Sequence, residues 1–302
     1  MRIASRQLNV LFRLPVCFVL CWLATACAPI KPVRVAAVAL TVEDVGRAAA
    51  KQTDPVLVRE GTPAYLMLLD GLLESYPENT RLLTAACQAY ATYASSFVRE
   101  EEQERIALLQ RRAMHYGFRS LSGKLDFPRA ASGSLEDFTA GLERFDRKDV
   151  PALFWTATAW AGWVGSNIGS VEAMADLPFL EAVIRRILEL DESYYYGGPH
   201  LLMGIFLAAK PAAMGGSLPQ AKVHFDRAFA HGGDKVLMTK VYYAQYYARG
   251  MRDRELFERT LREVQAASAD DPPEMALGNI MAKGKANRLL ERTEEYFAGV
   301  LE

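Results

Sequence analysis

The sequence predicts an all-α chain built from antiparallel helical hairpins, and three observations carry that prediction. Apolar residues recur at three- and four-residue intervals through most of the chain, as they do on one face of a helix. The periodic runs are punctuated by prolines near their starts, acids in first turns and glycines beyond their ends. No stretch alternates with period two for long enough to demand a strand.

Residues 1–26 read as a secretory leader. Arg2, Arg6 and Arg13 come before any acidic residue, and the apolar run Leu14–Ala26 is broken only by Pro15 and Thr25. That run is shorter than the roughly 20 residues that cross a bilayer, and it ends in small residues, as a cleaved signal does. The residues "ATAC" at 24–27 resemble the lipobox of bacterial lipoproteins, although Leu23 stands four positions before Cys27 rather than three. The resemblance implies lipidation at Cys27. Ala28 occupies the place where Asp is the usual inner-membrane retention signal. In a Gram-negative host the expected location is therefore the periplasmic face of the outer membrane. Residues 27–42 contain Pro29 and Pro32 and no helical period, so they read as a tether. The helical domain is expected to be 43–302.

Within it, "TPAYLMLLDGLLESYP" (62–77) predicts a helix starting at Pro63, with Leu66, Leu69, Leu72 and Leu73 on one stripe and Tyr76-Pro77 at its end. "NTRLLTAACQAYATYASSFV" (79–98) follows, rich in alanine and aromatics at helical spacing. "REEEQERIALLQRRAMHYG" (99–117) has acids in its first turn and bases near its last, with Gly117 as the expected stop. Further helices are expected near 134–145, 150–168, 171–190, 199–209, 218–230, 235–249, 252–267 and 274–297. One hairpin is specific. Gly204 in one helix faces Ala221, Phe225 and Ala228 in the next, small residues and an aromatic that let two helices approach closely. The pattern resembles the tetratricopeptide repeat, with a connecting loop about five residues longer than the consensus. Ser217 is placed to cap the second helix, with Pro219 in its first turn. Looser matches occur at Tyr76–Asn79, at Ala113, and at Ala244, Phe257, Leu261 and Val264. Such degenerate hairpins stack into one array with a concave surface.

Composition excludes several classes of function. Losing residues 1–26 removes three arginines and no acid, which takes the net charge from −1 to −4. A mildly acidic chain without a basic stripe carries no footprint for nucleic acid. At 51% hydrophobic and 24% charged the chain is globular. Cys17 and Cys21 leave with the leader and Cys27 would carry lipid, so Cys87 has no partner for an intrachain disulfide. "GSNIG" (165–169) has the glycine spacing of a nucleophile elbow, but Asn167 stands in the nucleophile's place and the setting is helical. "SGKL" and "AKGKA" lack the glycine-rich approach of a phosphate loop. His200, His224 and His231 read as surface or capping residues rather than zinc ligands. Neither a metal nor another cofactor is expected.

Two aromatic groups stand out. Phe154–Asn167 predicts a helix with three tryptophans, Trp155, Trp160 and Trp163, with Trp160 and Asn167 on one face. It reads as a cavity wall with an Asn to orient a ligand, although aromatics at helical spacing are more often those of a buried core helix. Tyr243 and Tyr247 share one helix face and Tyr242 and Tyr246 its neighbour, so both pairs cannot face inwards. Tyr243 and Tyr247 are assigned to the cavity. Tyr242 and Tyr246, with Tyr195 and Tyr196, are assigned to a rim or partner surface.

Five stretches together resemble the tetratricopeptide-like lipoproteins of tripartite ATP-independent periplasmic (TRAP) transporters, the T component. They are "ATAC", "PALFWTATAWAGWVGSNIGS", "YYYGGPHLLMGIFLAAKPAAMGGSLPQAKVHFDRAF", "VYYAQYYARGMRDRELFERTLREVQA" and "NIMAKGKANRLLERTEEYF". The resemblance implies a non-enzymatic accessory protein, able to form homotrimers, with a cavity or pore in each protomer. It implies a periplasmic TRAP solute-binding protein as partner and a small hydrophobic or organic-acid ligand passed to it. The alternative is a tetratricopeptide scaffold lipoprotein that binds peptides or envelope-assembly proteins in an open groove.

Overall fold

The computed structural model describes residues 30–298. The leader and Cys27 lie outside them. The described residues up to Thr41 fall in one unit and those from Val42 onward in a second. The described residues are helical, and no strand occurs among them.

The segment read as a tether is helical from Ile30, because α1 covers Ile30–Ala50. Pro32 falls in its first turn, where a missing N–H is no loss, so a proline there does not mark irregular chain. In the second unit, α2 runs Pro55–Ser75 and begins a full two turns before Pro63. Asp54 sets that start: its carboxylate accepts from Val56 N and Leu57 N, and Pro55 opens the helix. Next come α3 (Thr80–Ser96), capped by Asn79, and α4 (Gln103–Leu121). Gly117 lies inside α4 rather than beyond it. A Cβ there would sit 2.5 Å from the Thr156 hydroxyl, so glycine serves helix approach, not termination.

Two short helices, α5 (Phe127–Ala131) and α6 (Leu135–Leu142), lead to α7 (Val150–Ser166) and α8 (Val171–Asp191). Then α9 (Tyr194–Ala209) and α10 (Leu218–Gly232) form a hairpin. Its tight point is Gly204, where a Cβ would meet the Phe225 ring at 3.2 Å, with Ala221 and Ala228 buried alongside. α11 (Leu237–Tyr242) continues into a π-helical turn, Tyr243–Ala248. The region expected as one helix over 274–297 divides into a 3-10 turn, α13 (Ala276–Glu291) and α14 (Thr293–Phe297), with α12 (Arg254–Ala266) before it.

Buried apolar faces hold these helices together. α4 packs on both α3 and α7, where Cys87, Gly117 and Thr156 meet. Burial raises the Cys87 thiol pKa, as it does for an inert core cysteine. Nearby, Asp70 of α2 accepts from Tyr90 (2.7 Å), Tyr116 (2.6 Å) and Arg112 (2.7 Å), which ties three helices together. A C-terminal core unites Leu237, Ala244, Phe257, Leu261, Val264 and Ala286. Beyond this stacking of neighbours, α2 also touches α13, so the start of the second unit meets its end.

Candidate ligand cavity

A cavity of about 1090 Å³ opens among the ends of α3, α4 and α7. Its lining mixes both signs of charge, Arg81, Arg119, Lys124 and Lys148 with Glu43, Glu78 and Asp149, and Trp155 and Tyr194 supply aromatic wall. The pairing of the cations differs. Arg81 grips Glu43 with two bonds, 2.7 and 2.6 Å. Lys124 donates to Asp149 at 2.5 Å, and Asp149 in turn accepts from Asp146 N to shape the turn before α7. Both cations have raised pKa values from those partners. Arg119 donates to the Pro77 carbonyl at 2.7 Å, a neutral acceptor that leaves its charge uncancelled.

Trp155 leads from this cavity into a group of rings. Phe154, Tyr194 and Tyr195 all lie 5.2–5.9 Å from one of the others or from Trp155 in edge-on or tilted geometry. Tyr195 and Tyr196 have left-handed backbones, φ +48° and +59°, followed by Gly197 at +79°. Each non-glycine residue held there costs about 1–2 kcal/mol. The turn directs the Tyr195 ring onto Trp155, and Tyr196 donates to Glu274 at 2.9 Å. Tyr195 stays 43% exposed, yet surrounding protein raises its phenol pKa. Tyr194 is pushed up to about 12 by the same burial.

The π-turn and α13 bring a further pair of rings beside a cation. Tyr242 and Tyr246 are half-buried, 6.0 Å apart, and burial raises both phenols. Lys285 lies with its ammonium 4.7 Å from the Tyr242 ring, and burial lowers its pKa. Among the described residues it makes no ion pair. Sequence reasoning missed Lys285, which sits in the same "AKGKA" run that fails as a phosphate loop.

The structure redistributes the other assigned residues. Trp160 and Trp163 are 1% and 2% exposed and belong to the core, not to a cavity wall. Trp160 donates to Asp176 at 2.7 Å and packs edge-on against Phe118. Asn167 closes α7 by donating to the Trp163 carbonyl at 2.8 Å, so it is a helix end rather than a ligand contact. Tyr243 and Tyr247 stack on each other, and Tyr243 also packs on Phe225 and Phe229 of α10. Tyr242, Tyr243 and Tyr246 are all half-buried, and Tyr247 is the buried member of the group. The histidines are not separate surface residues either: His200 is 7% exposed and lies against His224 and His231.

Among the described residues no helix is long and apolar enough to cross a membrane. A family model described as TRAP transporter T-component matches residues 51–297. No functionally curated protein matches the chain.

Proposed function

The chain belongs to the TRAP transporter T-component family, a transporter accessory component and not an enzyme family, and on that premise we propose that it takes a small organic acid with an apolar body into its interior and passes it to the transporter's periplasmic solute-binding protein. The observation that carries the ligand class is Lys285, a half-buried ammonium over the Tyr242 ring, within the field of Tyr246 and Glu100 and without an ion pair among the described residues. A carboxylate would pair with it in a site of low polarity, and the tyrosine faces would take the apolar body. Arg119, whose hydrogen bond goes to a neutral carbonyl, would draw anions towards the Trp155 side. Anchoring at Cys27 would hold the protein at the outer membrane's periplasmic face, with homotrimers as the working assembly.

Titration of the purified protein with octanoate and phenylacetate, followed by calorimetry, tests the ligand class. Lys285→Gln should weaken binding about tenfold or more, the loss of one charge-assisted contact. The pH profile has a defined sign. Binding needs the ammonium form, and burial lowers the Lys285 pKa. Affinity should therefore fall as pH rises through a value below the ordinary lysine range, and Lys285→Gln should remove that step. Equal binding by wild type and variant would sink the assignment.

The partner is tested with mature Cys27→Ser protein immobilised in periplasmic extract. Enrichment of one solute-binding protein, reduced by Tyr195→Ala or Trp155→Ala, would support transfer. Retention of envelope-assembly factors or unfolded peptides instead would favour the scaffold alternative.

A further inference from the structure

We propose that Glu192, His200 and His231 form a binding site for one zinc-class divalent cation, with His224 as the positioning residue that holds His200. Three of the chain's four histidines gather here, from α9 and α10, together with the carboxylate at the end of α8. One donor atom from each of Glu192, His200 and His231 can be chosen so that all lie within 4.8 Å of one another. A tetrahedral zinc ion with bonds near 2.0–2.1 Å sets its donors about 3.3 Å apart. The gap is closed by side-chain rotation, since Glu192 is exposed and His231 half-buried.

The second contacts of His200 fit a ligating imidazole. Its Nε2 lies 3.0 Å from Glu192 Oε2, and its Nδ1 lies 2.9 Å from His224 Nδ1. Two facing ring nitrogens at that distance share a single proton. Without a cation, His200 Nε2–H donates to Glu192 and His224 Nδ1–H donates to His200. With a cation, the Nε2 proton leaves to solvent and the shared proton moves to His200 Nδ1. His224 then takes a proton at Nε2, so both rings stay neutral and no net proton is released by the pair. Metal-bound histidines generally donate their other ring N–H to such a partner. A carboxylate with two imidazoles suits zinc and neighbouring first-row divalent ions.

The backbone is shaped around this point. A Cβ on Gly197 would sit 2.8 Å from the His231 Cβ, and one on Gly232 would sit 3.0 Å from the Tyr196 carbonyl oxygen. His231 thus approaches the left-handed turn only because that turn ends in glycine. A cation bridging α8, α9 and α10 would clamp the turn that carries Tyr195. Arg227, on the same helix, acts against a cation: its charge reaches both Glu192 and His200.

The test uses the purified full-length chain, stripped with chelator and with exposed thiols alkylated so that leader cysteines cannot bind metal. Calorimetry with Zn²⁺ should show one equivalent, and Co²⁺ should give the visible absorption of a tetrahedral site. His224→Ala should weaken Zn²⁺ binding about 10–100-fold, as loss of an outer-shell partner does. Glu192→Gln and His231→Asn should weaken it at least as much. His115→Ala, at the one histidine outside the cluster, should leave it unchanged, and Arg227→Gln should tighten it. Circular dichroism of each variant checks the fold. Absence of stoichiometric uptake, or uptake indifferent to His231→Asn in a folded variant, would overturn the proposal.

Discussion

Gly117 and Gly61 both lie inside helices in the structure, yet they do opposite things. A Cβ on Gly117 would press into Thr156, whereas one on Gly61 would meet nothing within 4 Å. Gly117→Ala should therefore destabilise by about 1–3 kcal/mol through overpacking. Gly61→Ala, in the exposed interior of α2, should stabilise by about 0.5–1 kcal/mol through helix propensity. Urea midpoints of the two variants check both signs. The difference was illegible beforehand because it depends on what α7 places opposite each position. The same holds for the tyrosines: spacing shows that Tyr242 pairs with Tyr246 and Tyr243 with Tyr247. Only the position of α10 decides that the second pair packs on Phe225 and Phe229.

Helices themselves were far more legible than their ends. α12, expected over 252–267, covers Arg254–Ala266, because its polar and apolar faces separate cleanly and Asp253 caps it. α2 starts two turns before the expected Pro63, because Asp54-Pro55 supplies the cap and Pro63 lies within the helix. The clamp at Asp70 was invisible, since its partners lie 20 to 46 residues away. Removing it should matter: Asp70→Ala leaves two phenols and a guanidinium without their shared acceptor. We expect a loss of about 2 kcal/mol, read as a lowered thermal midpoint. The left-handed turn at Tyr195–Gly197 was likewise hidden, because tyrosine rarely takes that conformation and nothing local announces it.

For the second unit as a whole, the family and the helical class follow from patterns spread over most of the chain. The interior chemistry does not. Lys285 becomes informative only when α13 brings it over Tyr242, and the histidines only when three helices converge. The balance of charge fits the proposed role: an acidic body does not attract nucleic acid, while the cavity lining carries a slight excess of cations over carboxylates.

The contact between α2 and α13 also governs how the second unit comes apart. In a linear array each repeat leans only on its neighbours, and melting can begin at a free end and spread. Here each end is braced by the other. Unfolding should be a single cooperative transition, with coincident urea curves from fluorescence and circular dichroism. Truncation after Pro272 should then do more than remove the last helices. It should speed amide hydrogen exchange in α2, more than 200 residues earlier in the chain. Loss of protection confined to the neighbouring α12 would show that the two ends are energetically independent.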